Sequence, residues 1–220
     1  MNKKEFFNGY TLVFSILLIG SFIGFAHENI LTLIKGHYVL RQGLLYEPLI
    51  PIYGLGAVFF YFSLYKPDLK KYDKKMRVLI VFLFGFMMGG ITEYFCSYIQ
   101  EKLFGTIAWD YSNVMFNISG RTSILHAIFW GLLSLGFYIY VVPFINKLKK
   151  YTKKKWLKII VIILSVIFLL DCLLSALACY RRSERRDNLK PSNRIEELLD
   201  KYYPDEKVDR VFNNSRPPKK

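Results

Sequence analysis

Five apolar runs punctuate the chain, at about 11–34, 48–65, 78–99, 122–145 and 156–179, with short polar or basic links between them. Each approaches the ~20 residues that let a helix cross ~30 Å of hydrocarbon. The pattern predicts an all-α fold: a polytopic membrane helix bundle of about five spans over 1–180, with a structured outer loop. A basic extramembrane tail, 181–220, follows, and within it Arg194–Tyr202 reads as one short amphipathic helix stopped by Pro204. The last residues, from Asn213, are expected to fray.

The runs differ in what interrupts them. The first follows Lys3 and Lys4 and continues past Ala26 without a small-x-small cleavage site, so it reads as an uncleaved span rather than a signal peptide. Its Glu28 lies roughly 27 Å along the helix from Tyr10, near the outer interface. The second run opens with Pro48, Pro51, Gly54 and Gly56. Two readings fit: a broken start that lines a cavity, or a proline start with glycines as packing notches. The third contains Gly85-x-x-x-Gly89, a spacing that permits close helix contact, and then Glu93, roughly 24 Å beyond Arg77. The fourth carries His126 and Trp130-Gly131 in its first turns and ends at Pro143. A lone histidine on an apolar helix reads first as a hydrogen-bonded packing residue. The fifth holds Asp171, roughly 22 Å from its basic start.

The link Ile107–Arg121 is richer than a connection requires, holding Trp109, Asp110, Asn117 and Arg121 beside apolar spans. Such groups need partners once they leave water, which points to an outer cap over a polar site. The plainer alternative is an interfacial Trp and Tyr belt with a helix-capping Asp. Depth counting places Glu28, Glu93 and Asp171 at one level, and Arg41, Asp110, Arg121 and His126 reach it from the links. The expectation is one polar cluster in which Glu93 and Arg121 meet, because isolated charges at that depth are costly.

Charge refines the topology. The sequence is 53% hydrophobic and carries a net charge of +14, so charged and apolar residues must segregate in blocks. Lys66, Lys70, Lys71, Lys74, Lys75 and Arg77 form one basic cluster, and 147–158 holds another. Both sit in short links, which is the distribution of topology-setting cytoplasmic charge and not of a nucleic-acid-binding face. An inside N-terminus and five spans put the tail outside, against the opposite pull of Arg181, Arg182, Arg185 and Arg186. Cys96, Cys172 and Cys179 have no CxxC or Cys/His spacing, so neither a disulfide framework nor a metal or other cofactor is expected.

Several segments resemble the ABC-transporter type IV, or CmpB-like, family of small integral membrane proteins. They are Gly24-Phe-Ala-His-Glu28, Arg41-Gln-Gly through Pro51-Ile-Tyr53-Gly54, Thr92-Glu93, Trp109-Asp-Tyr-Ser112, Asn117-Ile-Ser-Gly-Arg121 and Trp130-Gly131. Glu47 stands where the family prefers glycine before the proline. The resemblance covers most of 10–145 and implies a permease-like component of the cell membrane, with Tyr53 among its polar-site residues. The chain has no Gly-x-x-x-x-Gly-Lys-Ser/Thr loop, so ATP hydrolysis requires a separate ATPase subunit. Three functions remain in view: a permease or carrier binding a polar or cationic solute, a membrane enzyme acting on a lipid headgroup or lipid-linked substrate, and a structural or regulatory partner. In the enzyme reading Glu93 or Asp110 is the general base and Arg41 or Arg121 grips a phosphate.

Overall fold

The computed structural model describes all residues except 1, 35, 37–38, 66–68, 214 and 216–220, and leaves out the side chains of Lys3, Tyr65 and Lys70. Lys66 of the first basic cluster and, of the terminal residues expected to fray, 214 and 216–220 therefore lie outside the described residues, whereas Asn213 and Ser215 are held by hydrogen bonds to the Leu40 carbonyl and the Thr106 hydroxyl. The apolar runs become α1 (Lys3–Ile34), α2 (Pro51–Tyr65), α3 (Lys74–Phe104), α4 (Ile124–Gly136) continuing into α5 (Val142–Leu148), and α6 (Lys155–Arg186). Four helical stretches, the α4–α5 rod among them, are long and apolar enough to cross a membrane. The second run makes α2, whose 15 residues extend only roughly 22 Å. Large apolar side chains such as Leu83, Leu132 and Leu170 stand exposed along these helices, as a lipid-facing surface requires.

The helices pair as two hairpins, α1 with α2 and α3 with α4, while α6 lies against α1 and α3. Small residues set the approach. A Cβ on Gly24 would fall inside the Tyr53 ring, and one on Gly89 inside the Trp130 ring. The α3 face follows a strict four-residue ridge, with Val81, Gly85, Gly89, Glu93 and Ser97 all buried, so a single row of side chains is presented to α4. Without a hydrophobic driving force between helices in lipid, such notches allow the van der Waals contact that holds them. Of the two readings of Gly54, the notch applies: it lies against the Leu17 carbonyl and Ser21 of α1. Gly56 has open space around it.

Pro143 does not end the fourth span. A π-helical turn, Phe137–Val141, precedes it, with the Val142 N–H reaching back to the Phe137 carbonyl. The wider turn absorbs the ring of a proline that cannot donate a backbone hydrogen bond, and the helix runs on to Leu148. The α3 terminus is sharper: Asp73 caps its start by accepting from the Met76 N–H, and Gly105 in the left-handed region ends it.

At the end of the bundle opposite the lysine-rich links, three segments form a cap: 39–50, 105–123 and the described part of the tail. The tail contains two short helices, α7 (Arg194–Tyr202) and α8 (Asp205–Val211), where the sequence pattern predicted one. Pro204 both stops α7 and stands as the N-cap residue of α8, a position where a missing N–H costs nothing. The last turns of α6 hold the tail: Arg181 grips Asp200 through two 2.9 Å hydrogen bonds, Arg182 meets Asp209 at 2.7 Å, and Arg185 bonds Asp200 and Asp205. Beneath them Leu45, Ala178, Cys179 and Val208 form an apolar cluster joining loop, span and tail.

Candidate functional site

Under the cap lies a cavity of about 510 Å³ lined by Glu28, Arg41, Tyr53, Glu93, Trp109, Tyr111 and Trp130, with Cys96, Gln100 and Thr106 at its wall. Each element delivers its residue for a traceable reason. Glu28 and Asn29 sit about one and a half turns from the end of α1. Asn29 exchanges hydrogen bonds with the Arg41 backbone, donating to its carbonyl at 2.9 Å and accepting from its N–H at 3.0 Å. That clamp holds the Arg41 guanidinium against Glu28 at 3.0 Å. The other Glu28 oxygen accepts from the Tyr53 hydroxyl at 2.6 Å, so α2 enters the same network. Pro51 opens α2 with the fixed φ that a first helical turn needs, and this presents Tyr53 to α1.

Glu93 has different company. It is only 6% exposed. It accepts from the Tyr111 hydroxyl at 3.0 Å and from the Thr122 hydroxyl at 2.8 Å, with the Trp130 side chain against the same carboxylate. No base pairs with it among the ion pairs of the described residues. Tyr111, in the loop above the spans, is held in place by stacking on the His126 ring, with centroids 3.6 Å apart. Burial, then the neighbouring Glu93 carboxylate, pushes the Tyr111 phenol well above its ordinary range, so it serves as a hydrogen-bond donor at any physiological pH.

The loop over the cavity is a built structure. Asn117–Ile118 and Thr122–Ser123 pair as a minimal antiparallel hairpin. Ser119 and Gly120 turn it, both at positive φ (52° and 65°), with Arg121 N–H bonded to the Ile118 carbonyl. With Ile118 paired to Thr122, Ser119, Gly120 and Arg121 form a three-residue hairpin loop. Asn117 braces it from within, donating to the Ser112 and Val114 carbonyls and accepting from the Gly120 N–H at 2.9 Å. Asp110 accepts from the Ser112 N–H and hydroxyl, and Trp109 donates its indole N–H to the Arg121 carbonyl at 2.7 Å.

The ten residues singled out in the sequence therefore divide. Glu28, Arg41, Tyr53, Glu93 and Trp109 line the cavity, while Asp110, Asn117, Arg121, His126 and Asp171 support its surroundings. Arg121 does not meet Glu93; it pairs with Glu101, bonds Ser97 and lies over the Tyr98 ring. The reason is the ridge: Glu101 continues the row of Glu93 and Ser97 by four residues and stands nearer the cap, where a guanidinium from the loop arrives first. His126 touches the Ser123 hydroxyl at 2.7 Å and carries Tyr111 on its face. Asp171 lies apart, accepting the Tyr46 and Glu47 backbone N–H groups at 3.0 Å each, while Ser175 accepts that of Leu45. It fixes the loop before α2. Glu47 is pushed above the usual carboxylate range by burial and then by Asp171. Tyr111, Thr122 and Glu101 were not singled out from the sequence, although the four-residue spacing in α3 marks Glu101, and Tyr111 sits inside the Trp-Asp-Tyr-Ser segment.

Fold and cavity define a polytopic helical membrane protein whose bundle encloses a charged and aromatic pocket at one end. The family model described as "Putative ABC-transporter type IV" matches residues 15–176, and the chain belongs to that family. The match includes Glu28, Tyr53, Glu93 and Trp130 of the cavity and the capping hairpin, and stops before the tail. Neither among curated proteins nor among solved structures is there a match.

Proposed function

We propose that the protein is a permease-like membrane component in which the capped cavity receives a polar solute and a separate subunit supplies ATP hydrolysis. The observation that carries this reading is Glu93: a carboxylate buried within a span, bonded only to neutral groups and facing a cavity of about 510 Å³. Ionisable groups inside spans are expensive, and those facing a cavity mark solute or ion pathways. In this reading the lysine-rich end is cytoplasmic and the cap faces outward. The segment 43–50, pinned to α6 through Asp171 and Ser175, is a part of the wall free of regular structure, and its release opens the pocket beside α2.

The test is to purify the intact chain from its native membranes with its bound proteins and to measure ATP hydrolysis in lipid vesicles. Co-purifying hydrolysis that falls in a Glu93→Gln variant is the expected result. Turnover of a phospholipid by the chain alone, without ATP, contradicts it and favours the enzyme reading, for which Arg41 beside two carboxylates supplies phosphate-binding chemistry.

A further inference from the structure

Two stretches of the chain carry the same signature: Gly20-x-x-x-Gly24-x-x-x-Glu28 in α1 and Gly85-x-x-x-Gly89-x-x-x-Glu93 in α3. The same shift relates Thr32 to Ser97, both buried hydroxyls one turn beyond the glutamate. The second helix of each hairpin matches too, with Tyr53-Gly54-Leu55 and Phe60-Tyr61 answered by Trp130-Gly131-Leu132 and Phe137-Tyr138 at another constant shift.

The contacts repeat with the letters. Gly24 receives the Tyr53 ring as Gly89 receives the Trp130 ring. Gly20 meets the Tyr53 carbonyl and the Ala57 side chain, and Gly85 meets the Trp130 carbonyl and the Ser134 side chain, each pair spaced by one turn. Gly54 lies on Leu17 of α1, and Gly131 lies on Phe82, the residue that corresponds to Leu17. Glu28 is bonded to Tyr53, and Glu93 has Trp130 against it. Counterparts also touch one another across the bundle: Tyr53 and Trp130 at 6.1 Å between ring centroids, Phe60 and Phe137 at 6.2 Å. Residues that meet their own equivalents lie on a two-fold axis. Both hairpins start at the lysine-rich end, so this axis runs along the bundle, the arrangement of parallel repeats.

We infer that α1–α2 and α3–α4 are two copies of one hairpin unit, and that the cavity on the axis between them is a single site for an organic cation, held by the equivalent carboxylates Glu28 and Glu93 against the Tyr53 and Trp130 rings. The inference rests on reading the cavity as a solute site and names the solute's class. Most positions differ between the two halves, yet each keeps the two glycines that admit the partner helix and the glutamate one turn above them. The glycines are explained by packing. The glutamates bond to Tyr53 and Thr122, contacts that a neutral acceptor would also make, so packing accounts for an acceptor at each position and not for the charge. Two carboxylates and one guanidinium are the charged groups of the lining, which leaves it one negative charge in excess when they are ionised. Tyr53, Trp109, Tyr111 and Trp130 line it with aromatic rings, whose faces attract a cation once water is displaced. A bare metal ion is a poor fit: among the described residues no group of three His, Cys, Asp or Glu side chains is placed to hold one. The volume suits a substituted ammonium group instead.

The test measures binding to the intact chain in detergent by isothermal titration, with choline, its uncharged carbon analogue 3,3-dimethylbutanol, and inorganic phosphate as probes. Saturable choline binding is expected, with the neutral analogue weaker by about tenfold or more. Glu28→Gln and Glu93→Gln should each weaken choline by about tenfold, because the two carboxylates are equivalent. Size-exclusion and circular dichroism check that the variants fold. Should either Gln variant misfold, the Glu28→Asp and Glu93→Asp variants, which keep the charge, and the wild-type comparison of choline with its analogue decide. Equal binding of choline and the analogue, binding of phosphate in place of choline, no choline binding, or a loss confined to one glutamate overturns the inference. ATP hydrolysis that co-purifies and still depends on Glu93 in those cases leaves the permease reading standing and removes only the cation.

Discussion

Among individual residues, the packing glycines and the buried polar anchors make different demands. Gly24→Ala or Gly89→Ala places a methyl within the Tyr53 or Trp130 ring, and overpacking of this kind costs about 1–3 kcal/mol. Detergent-titrated unfolding should show that loss for both, whereas Gly56→Ala, which meets open space, should be nearly neutral or slightly stabilising. Asp171→Ala removes the acceptor of two backbone N–H groups in the 43–48 loop, a loss of about 1–3 kcal/mol. Depth along a helix was legible in the sequence, and so Glu28 and Glu93 were placed at one level of the bundle. Direction around the helix was not, because it depends on which neighbour each face meets. That is why Arg121 was expected on Glu93 and is found on Glu101, and why Asp171 faces a loop and not the cavity.

At the level of elements, the tail is docked by charge. Arg181, Arg182, Arg185 and Arg186 at the end of α6 meet Asp200, Asp205 and Asp209 from the tail. Hydrogen bonds from Arg181 hold Asp200 below the usual carboxylate range. A carboxyl whose folded value is depressed contributes stability above its unfolded value, about 3.9, and loses it as pH falls through the folded one. Protease susceptibility of the tail should therefore be low at neutral pH and rise below about pH 4. Truncation after Tyr180 should also uncover Leu45, Ala178 and Cys179 and lower the unfolding temperature; unchanged stability would show that the tail is only an appendage. The capping hairpin was legible as a structured link through its Trp, Asp, Asn and Arg. Its strand pairing was not, since two-residue strands leave no alternating pattern and the Ser-Gly turn is a weak signal by itself.

For the whole molecule, the run lengths and the lysine clusters carried most of the fold. The exception is α2, which is short because 43–50 folds into the cap instead of extending the helix. All three cap segments share one end of the bundle, so a cysteine introduced at Ser215 and one introduced in the 39–50 loop should be labelled from the same side of the membrane. Labelling from opposite sides contradicts the arrangement. The central claim is that a charged cavity under the cap is open to solute, and Cys96, native to its wall, reports on it directly. With Cys172 and Cys179 replaced by serine, membrane vesicles are treated from the cap side with thiosulfonate reagents that cannot cross the bilayer, one carrying a trimethylammonium group and one a sulfonate. The account predicts modification of Cys96 from that side, faster with the cationic reagent than with the anionic one, and a smaller difference after Glu93→Gln. Protection of Cys96 from both reagents, or modification only from the lysine-rich side, would contradict it.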